Sequence, residues 1–227
     1  MPRSTSNSLR FFSERYPAGL EYLSHIDKLL IEKVIVDVDL LSRAETENKY
    51  IIRNCEGEQI FYAVEDTYCG RLPYDLQIFD NYIVENIRLS KKKGYYPGIK
   101  VFLPLEKLAA IVETKCKIFP KYIVKNPCGE SVLKIKFPFI CKTDKDVEGT
   151  VFENKEFIGS IRKRWSKLNM YEITFPKELA VEKKVALVAV CFLIQATFFR
   201  DTQEAEKNAR HTARDFLPMG SHFGKHS

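Results

Sequence analysis

The segment that most restricts how this chain can fold is 185–199, which reads VALVAVCFLIQATFF. Only Gln195 and Thr197 interrupt it, and it contains neither Gly nor Pro. Wound as a helix it has no polar face, so it must be covered on every side. Its fifteen residues at ~1.5 Å each make a rod of roughly 22 Å. A bilayer core is about 30 Å thick and normally asks for ~20 apolar residues. The length therefore favours a core helix inside a β-barrel over a short membrane span. In the second case Lys183, Lys184 and Arg200 stand where they would snorkel, and Asp201 adds a cost at one end. The membrane-helix candidates are Val185, Leu187, Val188, Val190, Cys191, Phe192, Leu193, Ile194, Phe198 and Phe199. Pro176 suits the first turn of this helix, with a charged lead-in from Lys177 to Lys184.

The cover for such a rod lies upstream. Val36, Val38 and Leu40 alternate with Asp37 and Asp39, the period of a half-buried strand. Further strands are expected at Tyr50–Asn54, Ile60–Val64, Tyr74–Asp80 and Tyr82–Leu89. A second group follows at Tyr122–Lys125, Val132–Phe137, Phe157–Ile161 and Tyr171–Phe175. Leu133, Ile135 and Phe137 alternate with lysines, so those strands have one wet face. Asp27 to Ile31 reads as the start of a short helix.

The two groups are copies. Lys49-Tyr50-Ile51-Ile52-Arg53-Asn54, then Gly57-Glu58, returns as Lys121-Tyr122-Ile123-Val124-Lys125-Asn126, then Gly129-Glu130. Ile83-Val84 and Ile87-Arg88 have a weaker echo in Phe157-Ile158 and Ile161-Arg162. In each strong copy Asn-x-x-Gly is a hairpin turn, with Gly supplying positive φ. Two similar antiparallel halves can close on each other, and closure removes exposed sheet edges. The expected fold is mainly β with one buried C-terminal helix: a closed antiparallel β-barrel of two similar halves around a central hydrophobic α-helix. Residues 1–16 read as a flexible arm, 17–200 as the barrel domain and 201–227 as a polar, disordered tail.

Composition narrows the function classes. A net charge of +6 favours anionic partners such as membrane surfaces or nucleic acid. Met1–Ser8 is polar with no apolar stretch behind it, so no secretory signal is expected, and Pro2 excludes N-myristoylation. The six cysteines form no CxxC pair, which argues against metal or redox motifs and for a reduced, cytosol-facing chain with mainly structural thiols. His25 stands alone as a surface histidine, and His211, His222 and His226 match no compact ligand pattern. With no nucleophile–base pair in view, the chain is not expected to be an enzyme.

Five segments in order are similar to one family. Pro17-Ala18-Gly19-Leu20-Glu21-Tyr22-Leu23 with Ile26-Asp27 resembles the opening of the phospholipid scramblase core. Glu45-Thr46-Glu47-Asn48-Lys49-Tyr50 resembles its ETxNKY strand start, and Phe61 to Thr67 its tyrosine, alanine, glutamate and aspartate segment. Ile158 to Trp165 looks like the basic stretch ending in the family's tryptophan. Cys191-Phe192-Leu193-Ile194 with Phe198-Phe199 is similar to the terminal helix. The resemblance implies a tubby-like barrel of about twelve strands. It also implies ATP-independent, bidirectional movement of phospholipids between leaflets, linked to Ca2+, at the cytosolic face of the plasma membrane, with a nuclear fraction in some relatives.

Departures from the family pattern redirect the site. The region matching the palmitoylated cysteine cluster reads LSKKKGYYPGIKV here, without cysteine. Lys91, Lys92 and Lys93 are expected to hold anionic lipid headgroups, with Tyr95, Tyr96 and Phe102 at the interface in place of an acyl anchor. The calcium loop of the family lies between the tryptophan and the last strand and is rich in aspartate. Here Ser166 to Met170 holds no carboxylate, leaving Glu172, Glu178 and Glu182 as weak metal candidates. Arg162, Lys163, Arg164 and Trp165 have the density of a nuclear import signal. The expected partners are a phospholipid membrane and anionic lipids, with self-association open and nucleic acid disfavoured. The rival reading is a tubby-like lipid-binding or adaptor module without transport, with a nuclear regulatory role.

Overall fold

A sheet that closes on its own first strand surrounds the apolar helix. The computed structural model describes residues 19–34, 48–66, 75–91, 97–116, 119–138, 146–164 and 170–198. The expected strand at Val36–Leu40 and both expected termini, 1–16 and 201–227, lie outside them. Among the described residues there are twelve strands in one closed barrel. They are β1 Lys28–Val34, β2 Lys49–Arg53, β3 Gln59–Asp66, β4 Asp75–Phe79, β5 Glu85–Lys91 and β6 Gly98–Leu103. Then come β7 Lys107–Cys116, β8 Lys121–Lys125, β9 Ser131–Lys136, β10 Val147–Glu153, β11 Glu156–Arg164 and β12 Met170–Thr174. Each pairs antiparallel with its sequence neighbours, and β1 closes the ring by pairing with both β2 and β12. A 3-10 turn at Glu21–His25 precedes the barrel, and one helix, α1, Val181–Phe198, follows it.

Asp27–Ile31 is therefore a strand and not a helix start. Leu29 and Ile31 point inward and fully buried, while Lys28 and Glu32 face out, the period of two that a strand requires. What decides the matter is long-range pairing, with Ile31 opposite Ile52 on one side and Tyr171 on the other. Strands β6, β7 and β10 also escape the sequence pattern. The expected Tyr82–Leu89 strand begins only at Glu85, because 80–84 is a turn.

The duplication is visible in the pairing registers. Shifted by 72 residues, Lys49–Arg53 falls on Lys121–Lys125. Ile52 faces Phe61 as Val124 faces Leu133, and in each case the register slips at the next residue. Ala63 faces Ile78 as Ile135 faces Val151, and Leu89 faces Val101 as Ile161 faces Ile173. Even the seams correspond: Ile31 with Ile52 matches Val112 with Val124, and Leu29 with Ile173 matches Ala110 with Val101. The barrel is thus two six-stranded halves, β1–β6 and β7–β12. The paired turns agree too: Asn54 and Asn126 accept the backbone N–H of Glu58 and Glu130 at 2.9 Å, and Gly57 and Gly129 both sit at φ +87°.

Val185 to Val190 are six consecutive residues at 0–2% exposure, more than one full helical turn with no wet side. Tyr50 from β2 meets Phe192 edge-on at 5.0 Å. Tyr122, its counterpart in the second half, and Tyr171 are buried near enough to Cys191 to perturb one another, and burial pushes the Cys191 thiol up. The barrel and the helix through Leu193 form one compact unit; residues 194–198 belong to a second. The interior is mainly apolar, whereas Lys28, Lys100, Lys121, Lys134, Lys136 and Arg162 stand on the outer face. A barrel that crosses a membrane shows the reverse, so this one carries its hydrocarbon inside.

One turn breaks the pattern. Asp80–Val84 repeats the Asn54–Glu58 geometry, with Asp80 accepting from Tyr82 and Val84 at 2.8 and 3.0 Å. Where the sister turns hold glycine it holds Ile83, at φ +63°. A β-branched residue in the left-handed region costs on the order of 1–2 kcal/mol. Ile83→Gly is expected to stabilise the protein by about 1 kcal/mol, raising Tm by roughly 2–4 °C. A thermal melt with unchanged or lower Tm would show that the turn is not strained.

Candidate functional site

The strands alternate direction, so β2–β3, β4–β5, β6–β7, β8–β9 and β10–β11 all turn at one end of the barrel. Strand β12 ends there, β1 begins there, and α1 enters there. At this hairpin end the barrel bares large apolar side chains. Tyr82 is 88% exposed, Ile83 83% and Leu105 100%, with Val84 and Phe157 also mostly exposed. Leu105 shares the left-handed conformation of Ile83, at φ +63°, on the tip between β6 and β7. Two strained tips that both present bare aliphatic side chains are costly to keep in water.

Beside the second of these tips a cleft of about 310 Å³ runs along β5, lined by residues of β4, β5, β6 and the Pro104–Glu106 turn. Arg88 is its centre. It donates to Glu85 at 2.8 and 3.1 Å and to Glu106 at 3.4 Å. Those carboxylates, with Asp75 further off, raise the guanidinium pKa above its ordinary value. Phe102, expected at a membrane interface beside the lysine loop, is instead a strand residue opposite Arg88, lining this cleft. Lys91 ends β5 at the opposite end of the barrel and is exposed. Lys92, Lys93, Tyr95 and Tyr96 lie outside the described residues.

The basic run is built into the sheet. Arg162 pairs with Glu148 at 2.8 Å, which holds that carboxyl below its usual range. Lys163 is buried, and Arg164 reaches Glu172 at 2.7 Å. Trp165 lies outside the described residues. Glu172 also takes Lys28 at 2.6 Å; Lys28 first, then Arg164, lowers its pKa despite the opposing effect of burial. A carboxylate so neutralised is a poor calcium ligand. Glu178 lies in the turn before α1 and Glu182 in its first turn, and the described residues bring no three metal-ligating groups together. The calcium site implied by the resemblance does not fit these three glutamates.

Sequence reasoning missed Lys184. Placed to snorkel, it is instead fully buried in the first turns of α1, where a cation opposes the helix dipole. Its ammonium donates to the carbonyls of Leu23, Ile26 and Lys177 at 2.8, 2.9 and 2.7 Å and lies 5.1 Å from the Phe175 ring. One cation thereby ties the N-terminal turn, the entry to β1 and the helix lead-in to α1. Burial lowers its pKa, while Glu178 and Asp27 work the other way. Pro176 does not open the helix, which begins at Val181. The structural-thiol reading holds for Cys191, while Cys55 and Cys128 are exposed in hairpin turns.

The sequence model described as Scramblase matches residues 7–201, and the chain belongs to that family. Human phospholipid scramblase 1 is 31% identical, covering 85% of this chain and 69% of its own length. Human phospholipid scramblase 2 is 32% identical over 82% of this chain and 72% of its own length. Human phospholipid scramblase family member 5 is 30% identical over 81% and 78%. The chain spans about two thirds of the length of the phospholipid scramblase 1 relatives. A solved Arabidopsis thaliana protein is similar at 12% identity and a TM-score of 0.48, over 76% of this chain and 96% of its own.

Two outcomes follow from the buried and bridging charges. Lys184→Met leaves three carbonyls without their donor and is expected to cost about 2–4 kcal/mol, read as a lower urea midpoint. An unchanged midpoint would mean the ammonium contributes nothing net. Because its two cationic partners hold the folded pKa of Glu172 below the ordinary glutamate value, its contribution is present above that ordinary value and fades as pH falls through the folded one. Glu172→Gln is expected to cost on the order of 1 kcal/mol at pH 7 and to flatten this acid limb in urea titrations. Parallel pH profiles for the two proteins would refute the linkage.

Proposed function

We propose that this chain acts on phospholipid bilayers from their surface, scrambling lipids between leaflets without ATP while its barrel stays intact. The observation that carries this reading is the pair of strained apolar tips at the hairpin end of a chain belonging to the scramblase family. Moving Tyr82, Ile83 and Leu105 out of water is worth roughly 1.5–3 kcal/mol each. Tyrosine suits the headgroup boundary, with its ring in the acyl region and its hydroxyl wet. Wedged tips loosen headgroup packing, which lowers the several kcal/mol cost of carrying a polar group through hydrocarbon. The membrane implied by the resemblance is the plasma membrane from its cytosolic side.

Helix exit is not part of this proposal. No helix among the described residues is long and apolar enough to cross a membrane. Withdrawing α1 would also strip the barrel of its filling and break the Lys184 contacts. The same lock favours the second reading, a lipid-binding module without transport. A calcium link is proposed in one restricted form only, independent of Glu172, Glu178 and Glu182.

Lys91, the described residue of the expected lysine loop, and the Asp80–Val84 tip lie at opposite ends of β5, so the two expectations predict opposite orientations on a membrane. Sedimentation with phosphatidylcholine–phosphatidylserine vesicles separates them. Tyr82→Ser with Ile83→Gly is expected to weaken binding at least tenfold, with little loss from glutamate at positions 91–93. The opposite result turns the protein over and removes the tips from the proposal. In proteoliposomes, exchange of a fluorescent lipid without ATP supports transport, and binding without exchange supports the module. Any response to added Ca2+ should survive Gln at 172, 178 and 182.

A further inference from the structure

We propose that the hairpin end of the barrel takes electroneutral phospholipid bilayers and is turned away by anionic ones, the reverse of what the net charge of +6 favours. The inference rests on the bilayer reading and adds which lipid surface the tips accept. The tips supply the attraction, with Tyr82, Ile83 and Leu105 all more than four-fifths exposed. The charge set among them supplies the discrimination.

One repeated turn fixes carboxylates at this end. Asn54 and Asn126 each accept the N–H of the glutamate four residues on, and each donates its side-chain amide to that glutamate's carboxylate, at 2.9 Å for Glu58 and 2.8 Å for Glu130. Asp80 holds the corresponding place in the β4–β5 turn. Burial opposes its charge, but the N–H groups of Val84 and Tyr82 help hold its pKa below the ordinary aspartate value. Glu106 follows Leu105 on the next tip, and Glu153 and Glu156 flank the β10–β11 turn. With Glu56, the segments 54–58, 80–84, 104–106, 126–130 and 153–156 hold seven carboxylates against one base, Lys155. Arg53 and Lys107 border two of these segments and Lys183 engages Glu153, which offsets part of the charge without changing its sign.

The lysines lie elsewhere. Lys33, Lys49, Lys91, Lys115, Lys121 and Lys136 stand at the opposite ends of their strands. Strand β5 has seven residues, and at ~3.3 Å each its ends are about 20 Å apart. Charges are screened over roughly 8 Å in physiological salt. A membrane that meets the tips therefore meets the carboxylates and not the lysines. Each charge held near an anionic leaflet changes binding about fivefold, and for a carboxylate the change is a loss. A zwitterionic leaflet has no net charge, so the apolar contact is kept whole there.

The test sediments the full chain with vesicles of phosphatidylcholine alone and of phosphatidylcholine with phosphatidylserine, at low and at physiological ionic strength. At low salt the pure phosphatidylcholine vesicles should bind at least fivefold more tightly, and the gap should narrow as salt rises. This arm is read on the unaltered chain, so it stands even where a variant misfolds. Glu56→Gln with Glu58→Gln and Glu106→Gln should keep binding to phosphatidylcholine and remove the preference. Tyr82→Ser with Ile83→Gly should lose binding to phosphatidylcholine. Tighter binding to the serine lipid that salt loosens, a preference that survives the glutamine variant, or phosphatidylcholine binding that survives loss of the tips each overturns the proposal. Equal binding to both vesicles leaves the bilayer reading standing and sinks the selectivity. Binding to neither at any salt sinks both, and leaves this acidic, apolar end to a basic protein partner.

Discussion

A helix without a polar face has to be enclosed, and the rest of this molecule is the enclosure. The halves of a duplicated sheet supply inward residues at every second position; tyrosines from β8 and β12 lie near the single thiol of the rod, and Tyr50 of β2 meets Phe192. Enclosure also sets where polarity can go. With the apolar surface turned inward, the outer face carries lysines, arginines and their carboxylate partners, and large exposed apolar side chains are left to the turns at the end of the barrel. At one end a buried ammonium closes the opening through which the helix entered. A hydrophobic rod and a single cation thus hold the N-terminal turn, the entry to β1 and the helix lead-in together.

Much of this was legible beforehand. Continuous apolar character marked the helix, and the matched Lys-Tyr-Ile-x-x-Asn blocks marked the halves. What could not be read locally were strands whose identity depends on partners far away. Lys28–Val34 carries a helix-compatible run of Leu, Ile, Glu and Lys, and only β2 and β12 make it a strand. Propensity is a weak prior where two ladders of hydrogen bonds compete with it.

The site was less legible than the fold, for a physical reason. Lysines at 91–93 advertise themselves in composition, whereas a strained tip looks ordinary until its φ is known. Ile83 is hydrophobic and β-branched, so the sequence assigns it to a strand. Only alignment of Asp80–Val84 with the sister turns, where glycine holds the same place, would have flagged it. Lys184 misleads in the opposite sense. Its position at the edge of an apolar run suggests a snorkelling anchor, and its three carbonyl partners come from segments 7 to 161 residues away. The glutamates considered for calcium were separated by spacing that looked merely loose, and the sheet commits Glu172 to two cations.

The ring is closed by its first strand and its last. While the chain is being made, Lys28–Val34 leaves the ribosome early and has one partner within reach; the other, Met170–Thr174, arrives some 140 residues later. Until then both margins of a growing sheet are open to pairing with other chains, and the lumen has no filling. Translation therefore yields a half-made pipe that cannot be sealed from either side, and sealing waits for Met170–Thr174 and Val181–Phe198, so that seam and plug arrive almost together. Such a molecule should depend on escort by chaperones during synthesis more than its modest size suggests.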